Sequence, residues 1–317
     1  MNKLSVATCN VRGLKQDKKR HNVFKWFREK NCDIIFMQET HCHLRRDEYK
    51  WSKEWDGQSI WSRGTNRSRG VTVLFNRKYK YDIRNVVTDY NGRYILFDLY
   101  INETEYRVIN VYTPNSEYES RFFNKLKDWI KPDVENLIAG DFNCTLESEA
   151  DRENCTNSSD IGQIDIKNIM HEYDLEDVFR RRYPERREFS WRCGKKRSRI
   201  DYWLISSSLD NQVDHIQHIP CPFTDHSFVN MIFRTSNTEH GKGVWKMNIQ
   251  TIKSKLFQQV FQKWWKEWKN RITEYRDVKL WWDITKKKIK EISIWCSCKL
   301  SEDRNKEVFY LEHKQKN

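Results

Sequence analysis

The chain has 317 residues, enough for a large single domain or a domain with an appended segment, and carries 58 Lys and Arg against 45 Asp and Glu, a formal charge of +13. No apolar run approaches the length that spans a bilayer and no signal-like stretch follows Met1, which argues against a membrane or secreted protein. Nine scattered cysteines without a Cys-x-x-Cys pair argue against a disulfide scaffold or a zinc site, so a soluble protein of a reducing, intracellular compartment is expected.

Residues 3–10, KLSVATCN, alternate and predict a strand that stops at Asn10. Val23, Phe24, Trp26 and Phe27 among charges predict a short amphipathic helix over 20–30, followed by CDIIFMQ as a buried strand ending at Glu39. His41, Cys42 and His43 come next; three adjacent residues cannot easily face one tetrahedral metal, so they are read as surface or packing. Strands are predicted at 71–75, 93–101 and 106–112, the last two joined as a hairpin through NETE and ending at Tyr112. Phe122, Phe123, Leu126, Trp129 and Ile130 predict a helix over 116–130 that leads into a strand at 136–139.

That strand breaks at Gly140 into Asp141, Phe142 and Asn143. Asp141 and Asn143 would point the same way if extended geometry continued, a two-pronged polar end; an ordinary Gly-Asp turn is the alternative. A helix near 161–173 and strands at 188–193, 199–206, 213–219 and 227–233 follow. The fold class expected for residues 1–235 is α/β, a sandwich of two sheets packed face to face with helices outside.

A polar boundary falls near 234–243, and beyond it the apolar period changes to helical, with Ile252, Leu256, Val260, Trp264 and Trp268 spaced by four. Residues 236–317 are therefore read as a basic, Trp-rich α-helical appendage. Residues 234–317 hold 20 of the basic but 10 of the acidic side chains, so the tail carries +10 of the +13. A polyanionic partner and a solvated basic helix both account for this. The tryptophans read as packing, while Lys286, Lys287, Lys288 and Lys290 on the other face are placed to track nucleic acid, RNA included.

At the predicted strand ends sit Asn10, Glu39, Tyr112, Asp141, Asn143, Asp201, Asp225 and His226. Each has a bland explanation alone, a solvated acid, an ion pair or a satisfied turn; their joint occurrence at strand ends does not. FSWRCGKKRSRID, residues 189–201, reads as two short strands, a basic hairpin beside Asp201. Arg192, Lys195, Lys196, Arg197 and Arg199 are placed to meet phosphates, and Trp191 to stack on or wedge a base step; a solvated hairpin with Trp191 in the core is the alternative.

ATCN, MQETH, VYTPN, AGDFN, SRIDYW and TDHS, in that order, resemble the endonuclease/exonuclease/phosphatase superfamily over residues 3–233. QETH, the GRY of 92–94 and the N-x-Y-x-P-N of 110–115 resemble most the endonuclease of LINE-type non-LTR retrotransposons, and GVWKMN at 243–248 resembles the segment joining it to the reverse transcriptase. No Tyr-x-Asp-Asp or Phe-x-Asp-Asp occurs, so the resemblance implies a truncated element or a stretch ending before the polymerase.

The resemblance implies a DNA-nicking activity that leaves 3′-hydroxyl and 5′-phosphate ends and depends on Mg²⁺, with Mn²⁺ as a substitute. It implies Glu39 as the metal carboxylate, Asp225 as an outer or second ligand, and Asn10 as a neutral group near metal or phosphate. Asp141 would deprotonate the attacking water, Asn143 hold the phosphate, Asp201 orient His226, and His226 contact or protonate a phosphoryl oxygen. Tyr112 would bond the phosphate or stabilise the leaving oxygen, Ser190 approach the substrate, and the protein work in the nucleus. Arg12 departs from the pattern: abasic-site relatives carry an acid there, and a cation beside Mg²⁺ is expected to point toward phosphate or away. A catalytically lapsed binding module, an abasic-site enzyme and a phosphatase share the fold and stand as alternatives.

Overall fold

Successive side chains of an extended chain alternate between faces, and the first strand uses both. β1 (Lys3–Asn10) sends Leu4 and Val6 into the layer between two sheets, and Ala7 and Cys9 to the opposite face, against α1 (Asp17–Lys30). The computed structural model describes residues 2–114, 121–155, 162–235, 247, 249–275 and 277–314. The order continues with β2 (Ile34–Gln38), α2 (Arg45–Trp55), β3 (Ser59–Ser62), β4 (Val71–Phe75), β5 (Asp82–Thr88), β6 (Tyr94–Ile101) and β7 (Thr104–Tyr112). Then come α3 (Arg121–Trp129), β8 (Glu135–Asp141), α4 (Ser148–Asp151), β9 (Arg152–Glu153), α5 (Gln163–Glu172), β10 (Leu175–Asp177) and α6 (Val178–Arg182). β11 (Trp191–Cys193), β12 (Lys196–Ser198), β13 (Asp201–Ser206), β14 (Val213–Pro220) and β15 (Ser227–Arg234) complete the first compact unit, Met1–Thr238.

One six-stranded sheet has the order β14-β15-β1-β2-β4-β3 and the other β10-β13-β8-β7-β6-β5; β11, β12 and β9 form a small third sheet. Only the β1–β2 and β7–β8 pairs are parallel among the described strands. Between the sheets lie Leu4, Val6, Phe36, Val73, Phe97, Val108, Leu137, Ala139, Trp203 and Met231. Phe24, Phe27, Trp51 and Trp55 cover the first sheet's outer face, and Phe123, Leu126, Ile166 and Ile169 the second's. Each large apolar side chain so buried contributes on the order of 1.5–3 kcal/mol. This is the two-sheet α/β sandwich that the sequence predicts.

The sequence reading missed α2, whose buried stripe is only Trp51 and Trp55, and β5, an edge strand with no buried residue and therefore no alternation to read. Part of the helix expected at 116–130 (116–120), Asn115 and most of GVWKMN lie outside the described residues.

The second unit, Glu239–Asn317, contains α7 (Ile249–Lys253), α8 (Lys255–Trp268) and α9 (Val278–Lys314). Ser254 caps α8, its Oγ accepting from Phe257 N at 3.2 Å. Phe257, Ile292 and Cys296 form its core with Leu256, Val260, Phe261 and Trp264 packed on, and Trp268 Nε1 donates to Thr285 Oγ1 at 2.8 Å. Lys286, Lys287, Lys288 and Lys290 are exposed.

Candidate active site

Register brings the polar strand ends together. Asn10 pairs with Gln38 across β1–β2, Tyr112 with Asp141 across β7–β8, and Asp141 with Asp201 across β8–β13. β13 and β15 run antiparallel to their neighbours, so they begin where β8 and β1 end, and His226 immediately precedes β15. Asn10, Tyr112, Asp141 and Asp201 share the strand parity of Leu4, Val108, Leu137 and Trp203, so they terminate the layer between the sheets.

Asn10 joins the two sheets. Its Nδ2 donates to Glu39 Oε1 at 2.9 Å and to Asp141 Oδ2 at 2.8 Å, while its Oδ1 accepts from Arg12 N at 3.0 Å. Tyr112 OH donates to the same Glu39 oxygen at 2.9 Å, and His41 Nε2 lies 3.4 Å from Glu39 Oε2. Burial alone would raise the Glu39 carboxyl, but these contacts from His41, Asn10 and Tyr112 outweigh it and hold the pKa at about 2. Burial and the charge of Glu39 push the Tyr112 phenol well above its ordinary value, so it stays a donor.

On the other side of Asn10, Asp141 is fully buried, and burial with the neighbouring Asp201 raises its pKa to about 7. His226 Nδ1 lies 2.9 Å from Asp201 Oδ2. Burial would lower the imidazole, yet Asp201 outweighs it and the pKa stands at about 9. Asp141, Asp201 and His226 bring ligand-type atoms within 4.8 Å of one another. With an imidazolium already neutralising one carboxylate, the trio is arranged to hold and move protons: one carboxyl poised near neutrality beside a cationic donor.

The backbone that presents these groups departs from regular geometry. Arg12, Glu39, His41 and Asn143 have φ of 45°, 50°, 56° and 49°, a left-handed conformation costing on the order of 1 kcal/mol or more per residue. The 39–41 segment is pinned by Gly13 N to Glu39 O (2.7 Å), Leu14 N to Thr40 O (3.0 Å) and Thr40 N to Gly70 O (2.9 Å). Gly140 is required: at φ 151° its Cβ would lie 1.8 Å from Val111 O. Beneath the site a polar layer ties the sheets, Gln38 Nε2 donating to Thr8 Oγ1 at 2.9 Å and Asn110 Oδ1 at 2.7 Å. Asn110 Nδ2 in turn donates to Met37 O and Thr72 O. Gln38 and Asn110 lie within the quoted motifs but were given no role there; their alternation with core residues was the available signal. His41, read as surface or packing, stands against Glu39.

Several expectations need correction. Asn143 does not follow Asp141 in extended geometry: its N–H donates to Asp141 Oδ1 at 2.9 Å and its side chain to Thr113 O at 2.8 Å. Asn10 turns its nitrogen to the two acids and its oxygen to Arg12 N. Asp225 carries a cation already: its Oδ2 accepts from Arg12 Nη1 at 2.5 Å and Trp191 Nε1 at 3.0 Å. Arg12 thus points neither to open phosphate nor away. Arg199 cannot meet DNA: it is wholly buried, with Nε 2.7 Å from Asp151 Oδ1 and Nη2 2.6 Å from Asp177 Oδ2. Ser190 is wholly buried as well, its Oγ accepting from Ile200 N and Asp201 N at 2.9 Å each, which fixes the start of β13. Arg192, Lys195, Lys196 and Arg197 are exposed on the β11–β12 hairpin, with Trp191 half-buried at its base. The hairpin abuts the site through Arg192 N to Asp225 O at 3.0 Å and a Trp191–His226 bridge.

The Endonuclease/Exonuclease/phosphatase family matches residues 7–226. Over 313 residues the chain is 27% identical to the "Transposon TX1 uncharacterized 149 kDa protein" of Xenopus laevis, covering 96% of this chain and 24% of that protein, so it spans about a quarter of its relative's length. It is 26% identical over 241 residues to an exodeoxyribonuclease of Bacillus subtilis, covering 67% of this chain and 91% of that one. Among solved structures, AP endonuclease LMAP from Leishmania major superposes with a TM-score of 0.63 at 16% identity, covering 74% of this chain and 89% of that chain. An AP endonuclease from Archaeoglobus fulgidus does so at 0.58 and 20% identity, covering 73% and 99%. These structural likenesses establish the shared fold.

Proposed function

This chain belongs to the Endonuclease/Exonuclease/phosphatase family, and from that premise we propose that it is a Mg²⁺-dependent endonuclease of the LINE-type retrotransposon kind. It hydrolyses one phosphodiester of DNA, leaving a 3′-hydroxyl that serves as primer and a 5′-phosphate. The observation that carries this reading is the Asn10 amide joining two unlike carboxyls, Glu39 held ionised and Asp141 poised near neutrality, with the Asp201–His226 pair alongside.

Glu39 fits a small hard cation, since it is an anionic oxygen donor with neutral or imidazole neighbours, and it would hold Mg²⁺ or Mn²⁺ with waters and substrate oxygens completing the shell. When bound, such an ion neutralises phosphate charge and assists the departing oxygen. Asp141 in its ionised form takes a proton from the attacking water, and the Asn143 N–H on its other oxygen keeps it aimed. His226, cationic while Asp201 holds it, donates to a phosphoryl oxygen through Nε2. Asn10 and Tyr112 act as neutral donors that fix Glu39. The water oxygen bonds to phosphorus as the P–O3′ bond breaks, the leaving oxygen takes a proton from solvent water to become the 3′-hydroxyl, and Asp141 returns its proton to solvent.

Arg192, Lys195, Lys196 and Arg197 supply phosphate contacts beside the site, with Trp191 at the hairpin's base. Residues 1–235 carry this chemistry, residues 236–317 form the basic helical linker, and its exposed lysines contact RNA. The reading places the work in the nucleus; among the described residues no helix is long and apolar enough to cross a membrane.

The test is supercoiled plasmid incubated with Mg²⁺ or chelator, alongside Asp141→Ala and His226→Ala. Metal-dependent conversion to open circles, lost in both variants, is expected. Folded wild-type protein that binds DNA without nicking it would sink the reading.

A further inference from the structure

Two turns pack backbone to backbone on the Glu39 side of the site. The first, residues 63–70, has the sequence RGTNRSRG and is a fixed turn: Thr65 Oγ1 accepts from Arg67 N at 3.3 Å and Ser68 N at 3.0 Å. It docks onto the segment following Glu39 through Thr40 N to Gly70 O, His41 N to Arg69 O and Gly64 N to Cys42 O, all 2.8–3.0 Å. The second, residues 89–93, is held to the first by Gly70 N to Gly92 O at 3.0 Å and leads to Tyr112 through Tyr112 N to Arg93 O at 2.7 Å. A Cβ at Gly92 would stand 2.6 Å from Gly70 N, so the close approach depends on glycine.

The tips of these pinned turns carry Arg67, exposed, and Tyr90, which is 100% exposed where no other large hydrophobic among the described residues exceeds 73%. A bare aromatic ring and an arginine on rigid supports match a base face and a backbone phosphate. Strand order sets the spacing. In β15-β1-β2-β4 the 63–70 turn, entering β4, stands three strands from His226, roughly 14 Å, which is about four nucleotides along one strand. The basic β11–β12 hairpin joins the site at the His226 end. The acids therefore lie between two basic, aromatic-bearing flanks.

We propose that the paired turns 63–70 and 89–93 are a second duplex-DNA contact, in which Arg67 holds a phosphate about four nucleotides from the His226 side and Tyr90 stacks on a base at a loosened step. The inference rests on DNA as the substrate of the proposed function, but it concerns binding and not cleavage.

Binding of a fluorescently labelled duplex with a central pyrimidine–purine step, measured in chelator over a range of salt, tests it. Arg67→Ala should weaken binding and lower the slope of log affinity against log salt by about one. Tyr90→Ala should weaken binding on the order of tenfold with the slope unchanged, and Tyr90→Trp should restore it. Arg77→Ala, an exposed arginine beyond the opposite end of β4, should bind as wild type. Wild-type affinity in both Arg67→Ala and Tyr90→Ala, an Arg77→Ala loss equal to that of Arg67→Ala, or losses confined to single-stranded RNA would each overturn the proposal. Protein that shows the expected losses yet never nicks with Mg²⁺ would retain the rim and lose the endonuclease; protein that nicks but shows none would lose the rim alone.

Discussion

Asp141 and Asp201 stand directly opposite each other on β8 and β13, and each is given a different partner: Asn10 for the first, His226 for the second. Two adjacent buried carboxyls cannot both ionise cheaply, so the imidazolium on Asp201 is what leaves Asp141 free to exchange its proton. Asp201→Asn should lower the His226 pKa from about 9 toward or below its ordinary value, about 6.5. Because the folded pKa lies above the unfolded one, this pair's stabilisation is complete below about pH 6.5 and disappears as pH rises through about 9. Ring-proton titration of His226 and the alkaline limb of nicking should move down together; an unmoved titration would show that Asp201 does not hold the proton.

Glu39→Gln keeps the Asn10 and Tyr112 contacts but removes the charge. Calorimetry should show Mg²⁺ affinity falling at least tenfold, and the melting temperature should fall too, because the depressed Glu39 pKa means that its ionised form stabilises the fold. Unaltered Mg²⁺ binding would move the cation away from Glu39.

Gly140→Ala drives a Cβ to 1.8 Å from the Val111 carbonyl oxygen, whereas Gly194→Ala at φ 59° meets open space. Urea denaturation should show a loss of more than about 3 kcal/mol for the first and about 1–2 kcal/mol for the second. Equal losses would contradict the packing at Val111.

Arg199→Met leaves Asp151 and Asp177 without their central partner in the interior, a loss of about 3–5 kcal/mol. Lys195→Ala with Lys196→Ala, on the exposed hairpin, should leave stability unchanged but reduce the salt slope of DNA binding by about two. A stable Arg199→Met that loses only DNA affinity would restore Arg199 to the binding surface.

The strands and the motif-bearing ends were legible because period-two apolar runs stop at polar residues: Leu4 and Val6 lead to Asn10, Leu137 and Ala139 to Asp141. Which arginine faces outward was not. Arg197 and Arg199 share one face by strand alternation, but β12 ends at Ser198, and Arg199 turns inward onto acids 48 and 22 residues away. Nor could local spacing reveal the left-handed Asn143 or the bond between Arg12 and Asp225, 213 residues apart. Such long-range pairings are set by tertiary packing, to which residue type and spacing are blind.

The position of β1 has a consequence for the order in which the protein is made. This first strand pairs on one side with β2 and on the other with β15, the last strand of its unit. Asn10 leaves the ribosome more than two hundred residues ahead of His226 and the strand that carries it to Asp201. A nascent chain has every strand of the second sheet, with Asp141 opposite Asp201, only once β13 is made, and β15, which closes the first sheet, follows shortly after. The Asn10, Asp141, Asp201 and His226 cluster would therefore come together only after the whole unit has been synthesised.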